Sequence, residues 1–199
     1  ALGREMTYGY DANDNVLTVT DALGNSVSHG YDANDNKLST TDRLGRTTQW
    51  AYDEKDLLIS ETDPAGNAVT YTYDPLDRRL SRTDRRGNTT QYAFDAVGNR
   101  IEMTDALGNV TSYAYDLNGN QVRRTDANGH STTTSYDALN RRTEVQDALG
   151  NAVVTAYDAL GRVVTVTAPG GRVTQNSYDA LGRLTQTADP EGGITQFGY

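Results

Sequence analysis

The chain has 199 residues and a formal net charge of −9, from 27 acidic and 18 basic residues. An acidic chain disfavours nucleic acid and anionic membrane surfaces as partners, because both carry the same sign of charge. No apolar run is long enough to predict a membrane-spanning helix, and the absence of cysteine excludes disulfide bonds. Hydrophobic residues make up only 36%, so apolar burial alone does not offset the entropy of ordering the backbone.

A Tyr-Asp step recurs along the chain with a 21-residue period, without insertion or deletion, from Tyr10-Asp11 to Tyr178-Asp179. Phe94-Asp95 is the single aromatic substitution, and Tyr199 opens the next copy. A fixed period of this length predicts a repeat architecture in which each unit is completed by its neighbours. We therefore expect residues 1–199 to be a single array of nine in-phase units. Since Gly3 is already in register, we expect the chain to be a segment of a longer protein.

Each unit contains two turn motifs of the form Asp-x-x-Gly or a close variant of it. The first turn begins at the Asp after the repeat aromatic, as at Asp95, and the second begins ten residues later, as at Asp105. Asp accepts hydrogen bonds from backbone N–H groups ahead of it, and the fourth residue tolerates positive φ. Both motifs therefore predict a type I turn followed by a left-handed residue, which is a hairpin loop with a bulge.

The second turn is the stricter of the two. Its fourth residue is Gly in all nine copies, whereas the first turn also accepts Asp or Asn there. All four prolines directly follow the first residue of a turn, where a φ of about −65° is favoured and no N–H is needed. The non-glycine residues at the fourth position of the first turn are Asp14, Asp35, Asp56, Asp77 and Asn140.

The segments between turns have the length and alternation of β-strands. An aromatic stands two residues before most repeat aromatics, as Tyr71 does before Tyr73, so both point to one face of a sheet. An apolar residue, such as Ile59, occupies a fixed place seven residues after the aromatic. The sequence thus predicts an all-β fold of tandem 21-residue β-hairpins, forming a long, curled antiparallel strip that closes as a spiral shell or runs on as a fibre. A β-solenoid with one coil per repeat is the alternative.

The unit Tyr-Asp-Ala-Leu-Gly-Arg, at Tyr157 to Arg162 and Tyr178 to Arg183, precedes a segment of the form Thr-Asp-x-x-Gly-x-x-Thr, seen at Thr104 to Thr111. This pattern resembles the YD repeat of Rhs proteins over the whole chain. Related arrays occur in Rhs polymorphic toxins, C components of insecticidal toxin complexes, wall-associated proteins and teneurins. The resemblance implies a β-strip that spirals into a hollow shell, often around a toxin domain, in a secreted or cell-surface protein. It brings no catalytic residue, since the segment that precedes a cleaved toxin has no counterpart here.

The candidate site residues all have a structural interpretation. Asp11, Asn13 and Asn15, and again Asp32, Asn34 and Asn36, resemble the start of a calcium loop, but the expected Gly and Glu are missing. His29 and His130 stand in different repeats and do not predict a catalytic pair. Tyr71, Tyr92 and Tyr113 could stack on glycans or pack as a ladder. We expect no catalytic, metal or cofactor site and no enzyme.

Three functions remain open, and none is catalytic. The first is a scaffold segment of an Rhs-type shell that encloses or supports cargo such as a toxin domain. The second is a self-assembling extracellular filament or stalk, because uniform repeats with open strand edges suit continued addition. The third is a glycan-binding surface adhesin. Expected partners are further repeats of the same chain or of identical chains at the open strand edges, an enclosed toxin domain, or glycans.

Overall fold

A computed structural model describes residues 5–199, so the register of Gly3 lies outside the described part. The described residues form 19 β-strands and no helix. They fall into two compact units, the first comprising residues up to 93 with 104–108, and the second comprising 94–103 with 109–199.

The first unit contains nine strands, the last of which ends one residue inside the second unit. Each strand from β1 to β8 pairs antiparallel with the next one in sequence. The strands are β1 (Thr7–Tyr10), β2 (Val16–Thr20), β3 (Ser26–Tyr31), β4 (Lys37–Thr41), β5 (Thr47–Tyr52), β6 (Leu58–Thr62), β7 (Ala68–Tyr73), β8 (Arg79–Thr83) and β9 (Thr89–Phe94).

The second unit repeats this arrangement, with antiparallel pairing of consecutive strands from β11 to β19. Consecutive antiparallel pairing confirms the hairpin prediction and excludes the solenoid, whose stacked coils would pair in parallel. The strands are β10 (Arg100–Thr104), β11 (Val110–Tyr115), β12 (Gln121–Thr125), β13 (Ser131–Tyr136), β14 (Arg142–Gln146), β15 (Ala152–Tyr157), β16 (Val163–Ala168), β17 (Arg172–Tyr178), β18 (Leu184–Ala188) and β19 (Ile194–Gln196).

The turns have the predicted geometry. In the second turn at Asp147, the Gly150 N–H donates to the Asp147 carbonyl at 3.1 Å, and the Asp147 N–H donates to the Asn151 carbonyl at 2.9 Å. All nine glycines at the fourth position of second turns have φ between +75° and +88°. The five Asp and Asn residues at the fourth position of first turns have φ between +59° and +65°. The left-handed residue is therefore present whether or not it is glycine.

A second bulge, which the sequence pattern did not predict, lies in the strand that leaves each first turn. In the hairpin of β5 and β6, Ala51 pairs with Ser60 and Tyr52 with Leu58, so Ile59 is an extra residue. The position seven residues after the repeat aromatic, which is apolar in most repeats, is thus a bulge, and a bulge increases the local twist of the strand. The bulge residues are Leu17, Leu38, Ile59, Leu80, Val122, Thr143, Val164 and Thr185.

Very little of the chain is buried. Among the described residues only Val69, 6% exposed, and Thr111, 8% exposed, are classed as buried. The accessible surface is 13229 Å², whereas a folded monomer of this mass is expected to expose about 9,200 Å². The hairpins are therefore held by hydrogen-bonded ladders and by contacts between neighbouring repeats, with no conventional core.

Candidate functional site

The aspartate that begins nearly every turn organises the loop through its carboxylate. In the first turn at Asp158, Oδ1 accepts the N–H groups of Leu160 and Arg162, both at 2.9 Å. These bonds favour the ionised carboxylate, and the pKa of Asp158 is lowered, first by the backbone N–H of Arg162 and then, against desolvation, by the Arg162 side chain. In the second turn at Asp147, the pKa is lowered first by the Asn151 side chain and then by its backbone N–H.

In several repeats the repeat tyrosine connects its hairpin to the one before it. The Tyr157 hydroxyl donates to the carbonyl of Arg142 at 2.9 Å, and Tyr73 donates to Leu58 at the same distance. In both cases the acceptor stands 15 residues earlier, directly before the bulge residue of the preceding hairpin. The same bond joins Tyr115 to Arg100, Tyr136 to Gln121, Tyr178 to Val163 and Tyr199 to Leu184.

An arginine at the fifth position of the first turn makes a second connection between repeats. The Nε atom of Arg162 donates to Asp158 Oδ2 at 2.7 Å, and its Nη1 donates to the Asp179 carbonyl at 3.2 Å. Its guanidinium carbon lies 4.7 Å from the centre of the Tyr178 ring, a cation–π contact. Arg141 repeats this arrangement toward Asp158 and Tyr157, at 3.3 Å and 4.6 Å. This arginine is part of the sequence motif. Its role was not predicted, because the groups that it contacts lie on the neighbouring hairpin.

Other repeats use amides for the same connection. Asn36 Nδ2 donates to Asp32 Oδ2 of its own turn at 3.1 Å, and to Asp56 Oδ1 of the next first turn at 2.6 Å. Asn34 Nδ2 also donates to Asp56 Oδ1, at 2.9 Å. The left-handed residue of one turn is therefore the hydrogen-bond acceptor of the turn before it. We call these two arrangements the arginine junction and the amide junction.

The residues that resemble a calcium loop belong to these turns. Asp11 Oδ1 accepts the N–H groups of Asn13 and Asn15 at 2.9 and 2.8 Å, and Asn15 Nδ2 donates to Asp35 Oδ1 at 2.6 Å. Asp32, Asn34 and Asn36 repeat this pattern. Within residues 5–199, no group of three or more His, Cys, Asp or Glu side chains is arranged to hold a metal ion.

The two histidines lie in different units. His29 Nδ1 is 2.9 Å from Thr40 Oγ1, its cross-strand partner, and burial followed by the nearby Lys37 charge lowers the His29 pKa. His130 Nδ1 lies 3.4 Å from Asp126 Oδ2 within a second turn. Each histidine thus contacts a residue of its own hairpin.

The tyrosines considered for glycan stacking have a cation over the ring. The guanidinium carbon of Arg79 lies 5.7 Å from the Tyr71 ring centre and 5.6 Å from that of Tyr92. Arg100 lies 4.9 Å from the ring centre of Tyr113. A sugar that stacked on this face would have to displace the arginine, so the geometry favours packing over ligand stacking.

Two of the shallow grooves in the described part of the chain have volumes of about 780 and 680 Å³. Their lining residues are equivalent, since Asp116, Arg123 and Thr133 of one stand three repeats after Asp53, Ser60 and Thr70 of the other. Each groove lies between two successive hairpins beside the first turns. A groove that recurs with the repeat is a property of the array and does not mark a unique active site.

Both kinds of turn also carry exposed apolar side chains. At the first turns of the second unit these side chains are 69–107% exposed and follow one another in consecutive repeats. They are Val97, Leu117, Leu139, Leu160 and Leu181. Among residues 5–199, no helix is long and apolar enough to cross a membrane.

Comparison with solved structures identifies a similar fold. The crystal structure of TcdB2-TccC3 without its hypervariable C-terminal region matches at 14% identity with a TM-score of 0.51, over 92% of this chain and 12% of the other. The Photorhabdus luminescens Tc holotoxin pore matches at 15% identity with a TM-score of 0.33, over 92% and 14%. At such identities the likeness concerns the fold alone, and the chain spans only a small part of these proteins. No curated protein sequence matches it.

The RHS Repeat family matches the chain seven times. The matched residues are 10–47, 31–68, 52–89, 79–110, 94–130, 115–152 and 157–194. Successive matches begin mostly at a repeat aromatic and extend over nearly two units, in phase with the hairpins described above. The chain therefore belongs to the RHS repeat family.

Proposed function

We propose that this chain is a non-enzymatic structural scaffold, a segment of an Rhs-type shell that encloses or supports cargo such as a toxin domain. The observation that carries the proposal is the lack of a core, since only Val69 and Thr111 are buried among the described residues. Stable domains normally pack two or more layers of secondary structure. A single layer of hairpins fits the wall of a shell, in which further repeats extend the sheet and the enclosed cargo covers one of its faces.

The repeated contacts support the same function. The side-chain connections between hairpins described above use a tyrosine, arginine or asparagine at a fixed place in the repeat, and the grooves recur with the repeat as well. An enzyme needs a constellation of groups that occurs once, whereas a wall needs the same contact many times. The proposal treats residues 1–199 as one array, because the 21-residue period continues unbroken along it. From the family we also propose that the protein is bacterial and is secreted or located at the cell surface.

Electron microscopy of the native, full-length particle tests this proposal. A compact hollow body is expected, with density for enclosed cargo that disappears when the cargo domain is deleted. A long fibre whose axial spacing corresponds to one two-stranded hairpin per repeat would overturn the shell and establish the filament, which the unbroken in-phase spacing also suits.

The glycan-binding adhesin is tested separately. Under the scaffold proposal, a glycan array probed with the folded protein gives no signal that depends on the tyrosines. Glycan binding that is lost in a Tyr71→Ala, Tyr92→Ala, Tyr113→Ala variant with unchanged far-UV circular dichroism would instead support the adhesin. Arg79→Gln is the matched control, because it uncovers two of the rings and would strengthen genuine stacking.

A further inference from the structure

The first turns of consecutive repeats show a correlated choice of residues. We call the third residue of a first turn the donor position and the fourth residue of the following first turn the acceptor position. Seven such pairs lie within one of the two units. In four pairs the donor position is polar and the acceptor position is Asp or Asn: Asn13 with Asp35, Asn34 with Asp56, Lys55 with Asp77, and Asn118 with Asn140. In the other three pairs the donor position is apolar and the acceptor position is Gly: Val97 with Gly119, Leu139 with Gly161, and Leu160 with Gly182.

All four polar pairs are joined by a hydrogen bond. Asn13 donates to Asp35 at 2.9 Å and Asn34 to Asp56 at 2.9 Å. The other two bonds run from Lys55 Nζ to Asp77 Oδ1 at 2.7 Å, and from Asn118 Nδ2 to Asn140 Oδ1 at 3.0 Å. The residues of each pair are 22 apart in sequence, so the bonds depend on the stacking of two hairpins and not on local turn formation.

The backbone explains why glycine takes the acceptor position in the other pairs. The residue there always has positive φ, which is unfavourable for any side chain and least so for Asn and Asp. The backbone strain of a non-glycine residue at the acceptor position is offset when its side chain accepts a hydrogen bond from the preceding turn. Where the donor position is Leu or Val, its side chain cannot donate such a bond, and glycine avoids the strain.

We propose that the donor and acceptor positions form a recognition pair that determines which repeat is accepted as the next neighbour. A first turn with Asn or Lys at the donor position selects a repeat with Asp or Asn at the acceptor position. A first turn with an apolar donor position selects a repeat with glycine. The partner at this surface is thus another repeat of the same kind, and the pairing opposes association of hairpins that are out of order.

A double-mutant cycle at Lys55 and Asp77 in the full chain tests the pair. Leu57, at the fifth position of the Lys55 turn, has no donor, so the lysine can be removed without a second donor taking its place. The readout is the hydrogen-exchange protection of the residue 77 amide, which donates to the Asp74 carbonyl at 3.0 Å. Lys55→Met is expected to lower this protection about 2- to 10-fold.

The decisive quantity is the effect of Asp77→Gly in the two backgrounds. With Lys55 present, the substitution is expected to leave protection unchanged or to reduce it, because a bond is lost as strain is relieved. With Lys55→Met it is expected to raise protection, because only strain is relieved. Lys55 also donates to the Pro75 carbonyl at 3.0 Å, and the loss of that bond cancels in the cycle. Equal effects of Asp77→Gly in both backgrounds would overturn the proposal.

Conversion of an arginine junction into an amide junction tests the pair in the opposite direction. Gly161→Asn alone is expected to lower protection of its own amide about 2- to 10-fold, because Leu139 offers no donor and Gly161 has a φ of +83°. In a Leu139→Asn, Arg141→Asn background, which copies Asn118 and Asn120, Gly161→Asn is expected to be neutral or favourable. An equal loss in both backgrounds would contradict the recognition pair.

Discussion

At the scale of single residues, the aspartate of the Tyr-Asp step makes contacts within its own turn, whereas the tyrosine makes a contact with the preceding repeat. Asp158 acts within its own loop, where its carboxylate accepts two backbone N–H groups. Tyr157 acts on the preceding repeat, through a hydroxyl that reaches the Arg142 carbonyl. The sequence predicted the role of the aspartate because turn chemistry is local. It did not predict the tyrosine bond, since the acceptor lies in the preceding repeat and is placed by hairpin stacking.

Tyr157→Phe separates the hydroxyl from the ring. The variant keeps the ring beneath Arg141 and loses the bond to Arg142, so the free energy of unfolding is expected to fall by about 1 kcal/mol. Chemical denaturation followed by circular dichroism measures this change. Tyr8→Phe is the control, because the Tyr8 hydroxyl only approaches the Met6 sulfur, at 4.0 Å, and its removal is expected to be neutral. An equal loss in both variants would show that the bond contributes nothing specific.

Acid is expected to destabilise the array through its turn aspartates. Because the pKa values of Asp147, Asp158 and Asp179 are lower in the folded than in the unfolded state, the contribution of these residues to stability is complete above the unfolded pKa, near 3.8. It is lost as the pH falls through the folded values. The melting temperature should therefore change little between pH 7 and 5 and fall steeply below about pH 4.

Asp147→Asn tests the assignment of this acid sensitivity. The amide can still accept the turn hydrogen bonds but does not titrate, so the fall in melting temperature below about pH 4 should be smaller than in the wild type. The control is Glu191→Gln, an exposed acid at the third position of its turn. An acid profile unchanged by Asp147→Asn would assign the sensitivity to other carboxylates.

At the scale of the hairpin, the strict glycine of the second turn is a requirement of backbone geometry. Gly150 has φ of +84°, and no atom lies within 4 Å of the place where a Cβ would stand. Gly150→Ala is therefore expected to cost about 1–2 kcal/mol from strain alone. Gly150→Asn should cost less, since Asn tolerates this conformation better, and denaturant midpoints would rank the three proteins. Equal destabilisation by Gly150→Ala and Gly150→Asn would show that a side-chain contact, and not backbone strain, determines the cost.

Much of the hairpin was predictable from the sequence, because the features that define it are local. The positions of both turns, the left-handed fourth residue and the shared face of Tyr71 and Tyr73 follow from spacing and residue type. The bulge at Ile59 was not predicted, since a bulged apolar residue and a regular strand residue look alike in a sequence. The arginine and amide junctions were also missed, because each depends on which side chains the next hairpin brings near.

At the scale of the whole molecule, stability comes from contacts between neighbours, so entire repeats can be exchanged or removed. Deletion of residues 158–178 places the Leu139 turn before the Gly182 turn, which preserves an apolar residue followed by glycine. Deletion of residues 137–157 places the Asn118 turn before the Gly161 turn, which leaves the asparagine without its acceptor. Both deletions remove one whole repeat, and both should retain the far-UV spectrum of β-strands.

The two deletions are expected to differ in stability. The variant without residues 158–178 should have the higher denaturant midpoint, because its new junction keeps both the matched pair and the Arg141 contact with Tyr157. Hydrogen exchange should locate the weakness of the other variant at its new junction. Equal midpoints, with no local difference in exchange, would show that the repeats are interchangeable.

The backward direction of the tyrosine bond has a consequence for synthesis on the ribosome. The carbonyl of Leu58 receives its partner only when Tyr73 has been added, one repeat later. Strand pairs likewise join segments that are adjacent in the chain, so no hairpin waits for a distant part of the sequence. The nascent chain can therefore fold as it emerges, with a lag of one repeat, and never exposes more than about one unfinished hairpin to aggregation.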